Sequence, residues 1–213
     1  MASEAQSFDG LIQVLSAAGV LKRVKRAGWV RVGLPQPESV ADHSYRVALL
    51  AVLFGPRLGL DVERMTRLAL LHDLAEARVG DLTPADGIGG SEKHAWERAA
   101  FAEIVAGLPE ARSLDDLWRE YETGASPEAR AVHQLDKLEL ALQTLEYERA
   151  SASERESGRR RSRRRPTAAR PRPAVAWADE FWESARAALT DPLLIALYEE
   201  LRRRRPMSIS GGH

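Results

Sequence analysis

Apolar residues recur at intervals of three and four along nearly the whole chain, and no stretch alternates apolar with polar residues between hairpin turns. That periodicity predicts an all-α fold, a helical bundle in which each helix buries one stripe. A first helix is expected from about Ser7 to Ala18, carrying Phe8, Leu11 and Leu15 on one face and stopped by Gly19. The basic piece after it, with Pro35 and Pro37, opposes helix. A second helix is expected from about Ser39–Asp42 through Phe54, ended by Gly55 and Pro56, and a third from Val62 to Ala77. Others should cover 92–106, 127–150, 179–189 and 192–203, while GDLTPADGIGG must be loop.

The length of 213 residues suits one domain over 1–213 with a sizeable core. No apolar run approaches the ~20 residues of a membrane span, and MASEAQSFDG has neither the basic start nor the apolar stretch of a secretory signal, so a cytoplasmic home is expected. With no Cys, any metal must be held by His, Asp and Glu. The zero net charge conceals an asymmetry: residues 155–172 contain nine Arg and one acid, Glu156. This Arg-, Ser- and Pro-rich stretch reads as a disordered insertion over 151–176, without the interleaved aromatics that stack nucleic-acid bases, so no specific nucleic acid is expected as a partner.

The candidate chemistry lies in LALLHDLAEARVGDLTP, where His72, Asp73 and Glu76 interrupt a run of Leu and Ala. Burying an ionisable group without a partner costs several kcal/mol, roughly, so these residues satisfy one another or share a cation. Four residues back from Val47 along its buried stripe lies His43, and Asp136 borders the stripe Val132, Leu135, Leu138, Leu142, Leu145. Taken singly, each has a bland reading: His43 as a core histidine, the His72–Asp73–Glu76 group as a salt-bridge cluster, and Asp136 as a helix-edge acid beside Lys137 or His133. Four inward groups from three helices make a metal site. Two imidazoles and two carboxylates leave a divalent ion open positions for a water and a phosphate oxygen, lower that water's pKa toward about 7 and offset charge growing on phosphorus.

His43 in SVADHSYRVA, His72–Asp73 in LLHDLAEARVGDLTP and Asp136 in HQLDKLELALQ resemble the H…HD…D signature of HD-domain phosphohydrolases. RAGWVRVGLPQPESVADHSYR, HDLAEARVGDLTPAD and EKH are similar, more narrowly, to the HDDC-type branch related to YfbR 5′-deoxynucleotidases. The resemblance runs from about Leu11 to Tyr147 and returns weakly at Asp179–Leu197. It implies a homodimeric all-α hydrolase that removes the 5′-phosphate of deoxynucleoside monophosphates with a divalent cation, Mn²⁺ or Co²⁺ foremost, Mg²⁺, Zn²⁺, Fe²⁺ and Ni²⁺ being alternatives.

The same resemblance makes His43, His72, Asp73 and Asp136 metal ligands. Glu76 and Asp81 become a catalytic acidic pair that, with the Leu82 carbonyl, is suited to a second ion. It places Thr83 and Pro84 in a substrate loop and Arg26 and Trp29 beside the phosphate, with Lys22 or Lys25 assisting. Two other functions fit the residues: HD hydrolysis of a triphosphate, cyclic dinucleotide or alarmone, and a non-catalytic metal-binding scaffold.

Overall fold

The computed structural model describes residues 8–83, 86–162 and 177–206. The all-α expectation holds: the described residues form α1 (Asp9–Leu21), α2 (Ala27–Arg31), α3 (Val40–Leu58), α4 (Val62–Leu71), α5 (Glu76–Val79), α6 (Gly90–Val105), α7 (Ala111–Thr123), α8 (Pro127–Ser162), α9 (Ala178–Ala188) and α10 (Pro192–Arg203). Among the described residues the only pairing of extended type is an isolated antiparallel bridge between Lys25 and Ser39. No described helix is long and apolar enough to cross a membrane. The chain divides into two compact units, Met1–His133 and Gln134–His213, and α8 crosses the division.

In the first unit α3 starts at a reciprocal cap. The Asp42 N–H donates to Ser39 Oγ at 3.1 Å while the Ser39 N–H donates to Asp42 Oδ2 at 2.9 Å. The helix passes the expected stop at Gly55 and Pro56 and ends at Gly59, whose φ of 68° is the left-handed cap that glycine favours. Gly55 instead serves packing, since a Cβ there would lie 2.8 Å from Val62 Cγ2 of α4. Asp61 caps α4 by accepting from the Arg64 N–H at 3.0 Å.

The helix predicted over Val62–Ala77 is two helices. After Leu71 the chain tightens into i→i−3 hydrogen bonds, Leu74 N–H to Leu71 O at 3.1 Å and Glu76 N–H to Asp73 O at 3.0 Å, before α5 begins. The His72–Asp73 dipeptide therefore occupies a turn, held in place because the next two residues, Leu74 and Ala75, are buried with Val40, Phe101, Ile104 and Trp118. Helices α2 and α7 were not anticipated. The second of these shows its period plainly, with Leu114, Leu117, Trp118 and Tyr121 on one stripe.

The face expected to be buried on α1 is outward: Phe8, Leu11 and Leu15 are exposed, and the helix continues through Gly19 to Leu21. Its inward face is Gly10, Val14, Ala17 and Leu21, whose small members let the backbone approach.

In the second unit α8 extends past the expected end near Ala150 to Ser162, so the start of the predicted 151–176 insertion is helical, and residues 163–176 lie outside the described residues. Glu148 of α8 accepts from Trp182 Nε1 at 3.1 Å and pairs with Arg205 at 2.7 Å, joining α8, α9 and the segment after α10. Gln134 Oε1 accepts the N–H groups of Thr190 and Asp191 at 2.7 and 2.8 Å, and Asp191 caps α10.

A methyl group at Gly10 would sit 2.2 Å from the Gly107 carbonyl oxygen, whereas one at Gly19 meets nothing within 4 Å. Gly19→Ala should therefore stabilise by about 0.5–1 kcal/mol through helix propensity. Gly10→Ala should instead destabilise by about 1–3 kcal/mol, because a backbone clash outweighs that gain. Urea midpoints of the two variants test the contrast, and equal shifts would contradict it.

Candidate metal centre

His43 projects from the first turns of α3, and His72 and Asp73 from the α4–α5 turn; one ligand atom from each lies within 4.8 Å of the others. His72 Nε2 is 3.1 Å and His43 Nε2 is 3.7 Å from Asp73 Oδ2, with the imidazole centroids 5.4 Å apart. Both histidines are buried, and Asp73 is largely so.

The Nδ1 of His72 lies 2.7 Å from the Ala69 carbonyl oxygen, which can only accept, so Nδ1 carries the hydrogen. Neutral His72 thus turns the lone pair of Nε2 toward a carboxylate oxygen. Two acceptors buried against each other repel, and His72 Nε2 and Asp73 Oδ2 form no hydrogen bond among the described residues. A divalent cation between them resolves the conflict, so the donor set fits a metal; N and O donors suit borderline ions. Trp118 Nε1 donates to the His72 carbonyl at 3.3 Å and Tyr121 packs edge-on to its ring, fixing the imidazole from behind.

Arg26 borders the same cluster, its Nη1 3.6 Å from Asp73 Oδ2 and 3.9 Å from Asp81 Oδ1. Burial alone would raise the Asp73 carboxyl; positive charge beside it, on a protonated His72 ring, on Arg26 or on a protonated His43, outweighs burial and holds it below the ordinary carboxylate range, so Asp73 stays ionised only where a cation of some kind faces it. Glu76, also buried, is pushed well above its usual range by desolvation and then by the charges of Asp73 and Asp81, against Arg26 and Lys93. Its Oε2 forms no hydrogen bond among the described residues.

The other expected site residues fall into distinct settings. Asp81 Oδ2 accepts from the Ala27 N–H at 2.7 Å, tying the loop to the start of α2. The Leu82 carbonyl accepts from Lys93 Nζ at 2.8 Å. Thr83 donates its N–H and Oγ–H to Asp86 Oδ2 at 2.7 and 2.8 Å; Pro84 lies outside the described residues. Trp29 is 1% exposed and gives its indole N–H to Glu38 Oε1 at 2.8 Å, so it supports Arg26 from within the fold. Lys22 and Lys25 are exposed. Asp136 belongs to the second unit; it is buried on α8 and pairs with Lys137 at 2.9 Å, the neighbour named in its bland reading. Residues not anticipated are Glu38, Trp118 and the Lys93–Glu97 pair of α6, whose i,i+4 spacing in EKHAWE was a readable signal.

A helical protein whose core carries two imidazoles and a carboxylate around one point is of the metal-centred α class. The HD-domain model matches residues 18–172, and the chain belongs to that family. It is 40% identical over 203 residues to the human protein named 5′-deoxynucleotidase HDDC2, covering 94% of this chain and 88% of the relative. It is 36% identical over 152 residues to 5′-deoxynucleotidase hdd1 of Schizosaccharomyces pombe, covering 68% and 76%. Among solved structures, a conserved hypothetical protein of Pyrococcus furiosus superposes with a TM-score of 0.67 at 32% identity, covering 90% of this chain and 99% of that one. A Magnetospirillum magnetotacticum protein described as a predicted metal-dependent phosphohydrolase gives 0.61 at 25%, covering 92% and 97%.

The raised Glu76 carboxyl sets a pH dependence in metal-free protein. Because the folded state holds this proton more tightly than the unfolded chain, the contribution is complete below the ordinary glutamate range and is lost as pH rises through the raised value. Glu76→Gln, neutral throughout, should match wild type in acid and melt higher near neutrality, each 1 kcal/mol relieved appearing as about 2–4 °C. Thermal melts in chelator across that range check it; a variant less stable at neutral pH contradicts it.

Proposed function

We propose that this protein is a metal-dependent 5′-deoxynucleotidase that hydrolyses deoxynucleoside 5′-monophosphates to deoxynucleoside and phosphate. The observation that carries the proposal is the buried encounter of the His72 lone pair with the Asp73 carboxylate, joined by His43. The relatives named as 5′-deoxynucleotidases, at 36–40% identity, support the substrate class.

His43, His72 and Asp73 would hold the ion. Glu76, Asp81 and the Leu82 carbonyl form a second, oxygen-only set suited to a harder cation. The bound metal, with Mn²⁺ or Co²⁺ favoured, supplies an activated water and neutralises charge developing on the phosphoryl group. The guanidinium of Arg26, beside Asp73, offers charge-assisted hydrogen bonds to the phosphate. Where Glu76 is not engaged by a cation, its retained proton suits it to protonate the departing 5′ oxygen. Asp81, bonded to the Ala27 N–H, holds α2 and hence Arg26 in register, while Thr83 and Pro84 belong to the proposed substrate loop.

With Mn²⁺ or Co²⁺, the protein should release phosphate from deoxynucleoside monophosphates faster than from triphosphates. Chelation should abolish turnover, and His72→Ala should lower kcat/KM by about 100-fold or more. Faster release from triphosphates would favour a different HD hydrolase, and turnover untouched by chelator would sink the metal assignment.

The homodimer belongs to the same proposal, carried by the family resemblance. Consistent with it, α3 exposes Tyr45, Leu49, Val52 and Leu53 along one stripe, 43–70% accessible. An apolar helix face of this kind can meet its own copy across a twofold axis. Light scattering should report a dimer for wild type and a monomer for Leu49→Glu; a wild-type monomer at tens of micromolar, roughly, would refute it.

A further inference from the structure

The loop after α5 is pinned at three consecutive residues, and the pins differ in reach. Asp81 ties it to the Ala27 N–H of α2 at 2.7 Å, and Thr83 ties it locally to Asp86. Between them Lys93 Nζ donates to the Leu82 carbonyl at 2.8 Å, fastening the loop to α6. Glu97, one turn further along α6, lies 3.4 Å from the same ammonium and holds it on that side of the helix. The Lys93 charge also acts on Glu76, Asp86 and Glu97.

From this chain of contacts we infer that Lys93 is a positioning residue for the phosphate side of the site. By fixing the Leu82 carbonyl it fixes the adjacent Asp81 carboxylate, which holds the start of α2 and with it the Arg26 guanidinium over Asp73. The side chain suits the task. Its long stem spans from helix to loop, and a triply donating ammonium serves the carbonyl and Glu97 together. The kinetic part of this inference rests on the deoxynucleotidase reading; the structural part does not.

Two measurements test it, each on the full chain. In metal-free protein without substrate, the Ala27 amide should exchange about fivefold to tenfold faster in Lys93→Met than in wild type, and Lys93→Arg should restore protection. With metal and a deoxynucleoside monophosphate, Lys93→Met should raise KM about tenfold while kcat changes less than about threefold, and joining it to Arg26→Gln should cost little beyond Arg26→Gln alone. Unchanged Ala27 exchange in Lys93→Met, or losses that simply add in the double variant, would overturn the inference. Were wild type to hydrolyse no deoxynucleotide, the reaction would be misassigned, and the exchange measurement would still decide what Lys93 does.

Discussion

A carboxylate oxygen and an imidazole nitrogen are buried 3.1 Å apart, a pair that repels unless a proton or a metal ion stands between them, and much of the first unit is arranged so that they cannot move away. The Ala69 carbonyl fixes which nitrogen of His72 carries hydrogen, and Trp118 and Tyr121 fix where the ring stands. Leu74 and Ala75, immediately after the dipeptide, are locked into the core. Positive charge is thus demanded by the packing. Arg26 meets part of that demand from the rim, and a divalent ion would meet it at the centre.

The surrounding elements divide the work of placing charge. One end of α3 carries His43 and is held by the Ser39–Asp42 cap; the segment before α2 lies alongside it, with Arg26 N–H on the Glu38 carbonyl at 3.1 Å and Val40 N–H on the Val24 carbonyl at 2.9 Å. These backbone bonds explain how an arginine in a basic, proline-flanked piece reaches a buried aspartate. The loop beyond α5 completes the enclosure from the other side.

Much of this was legible from residue types. Helical period gave the class of fold, and α10 falls on its expected residues, because Asp191 and Pro192 are a strong start signal. The inward position of His43 followed from its spacing to Val47. The break at His72 was not legible, since LALLHDLAEARV has no glycine or proline to announce it; the turn forms because Leu74 and Ala75 must reach the core. The buried face of α1 was misjudged for a related reason. Hydrophobicity marks Phe8, Leu11 and Leu15, but close backbone approach selects Gly10 and Ala17. Trp29 was placed beside the phosphate by the family resemblance; its indole N–H meets Glu38 inside the fold, a partner nine positions away that no local pattern exposes.

Trp118 joins two roles in one side chain. Its ring stacks on Phe101 at 5.2 Å and on His94 at 5.8 Å, while its indole nitrogen reaches the backbone of the HD turn. Drift at this position would disturb hydrophobic consolidation and ligand geometry in a single substitution. An evolving lineage could not trade thermal robustness against ion affinity here, because one indole answers for both.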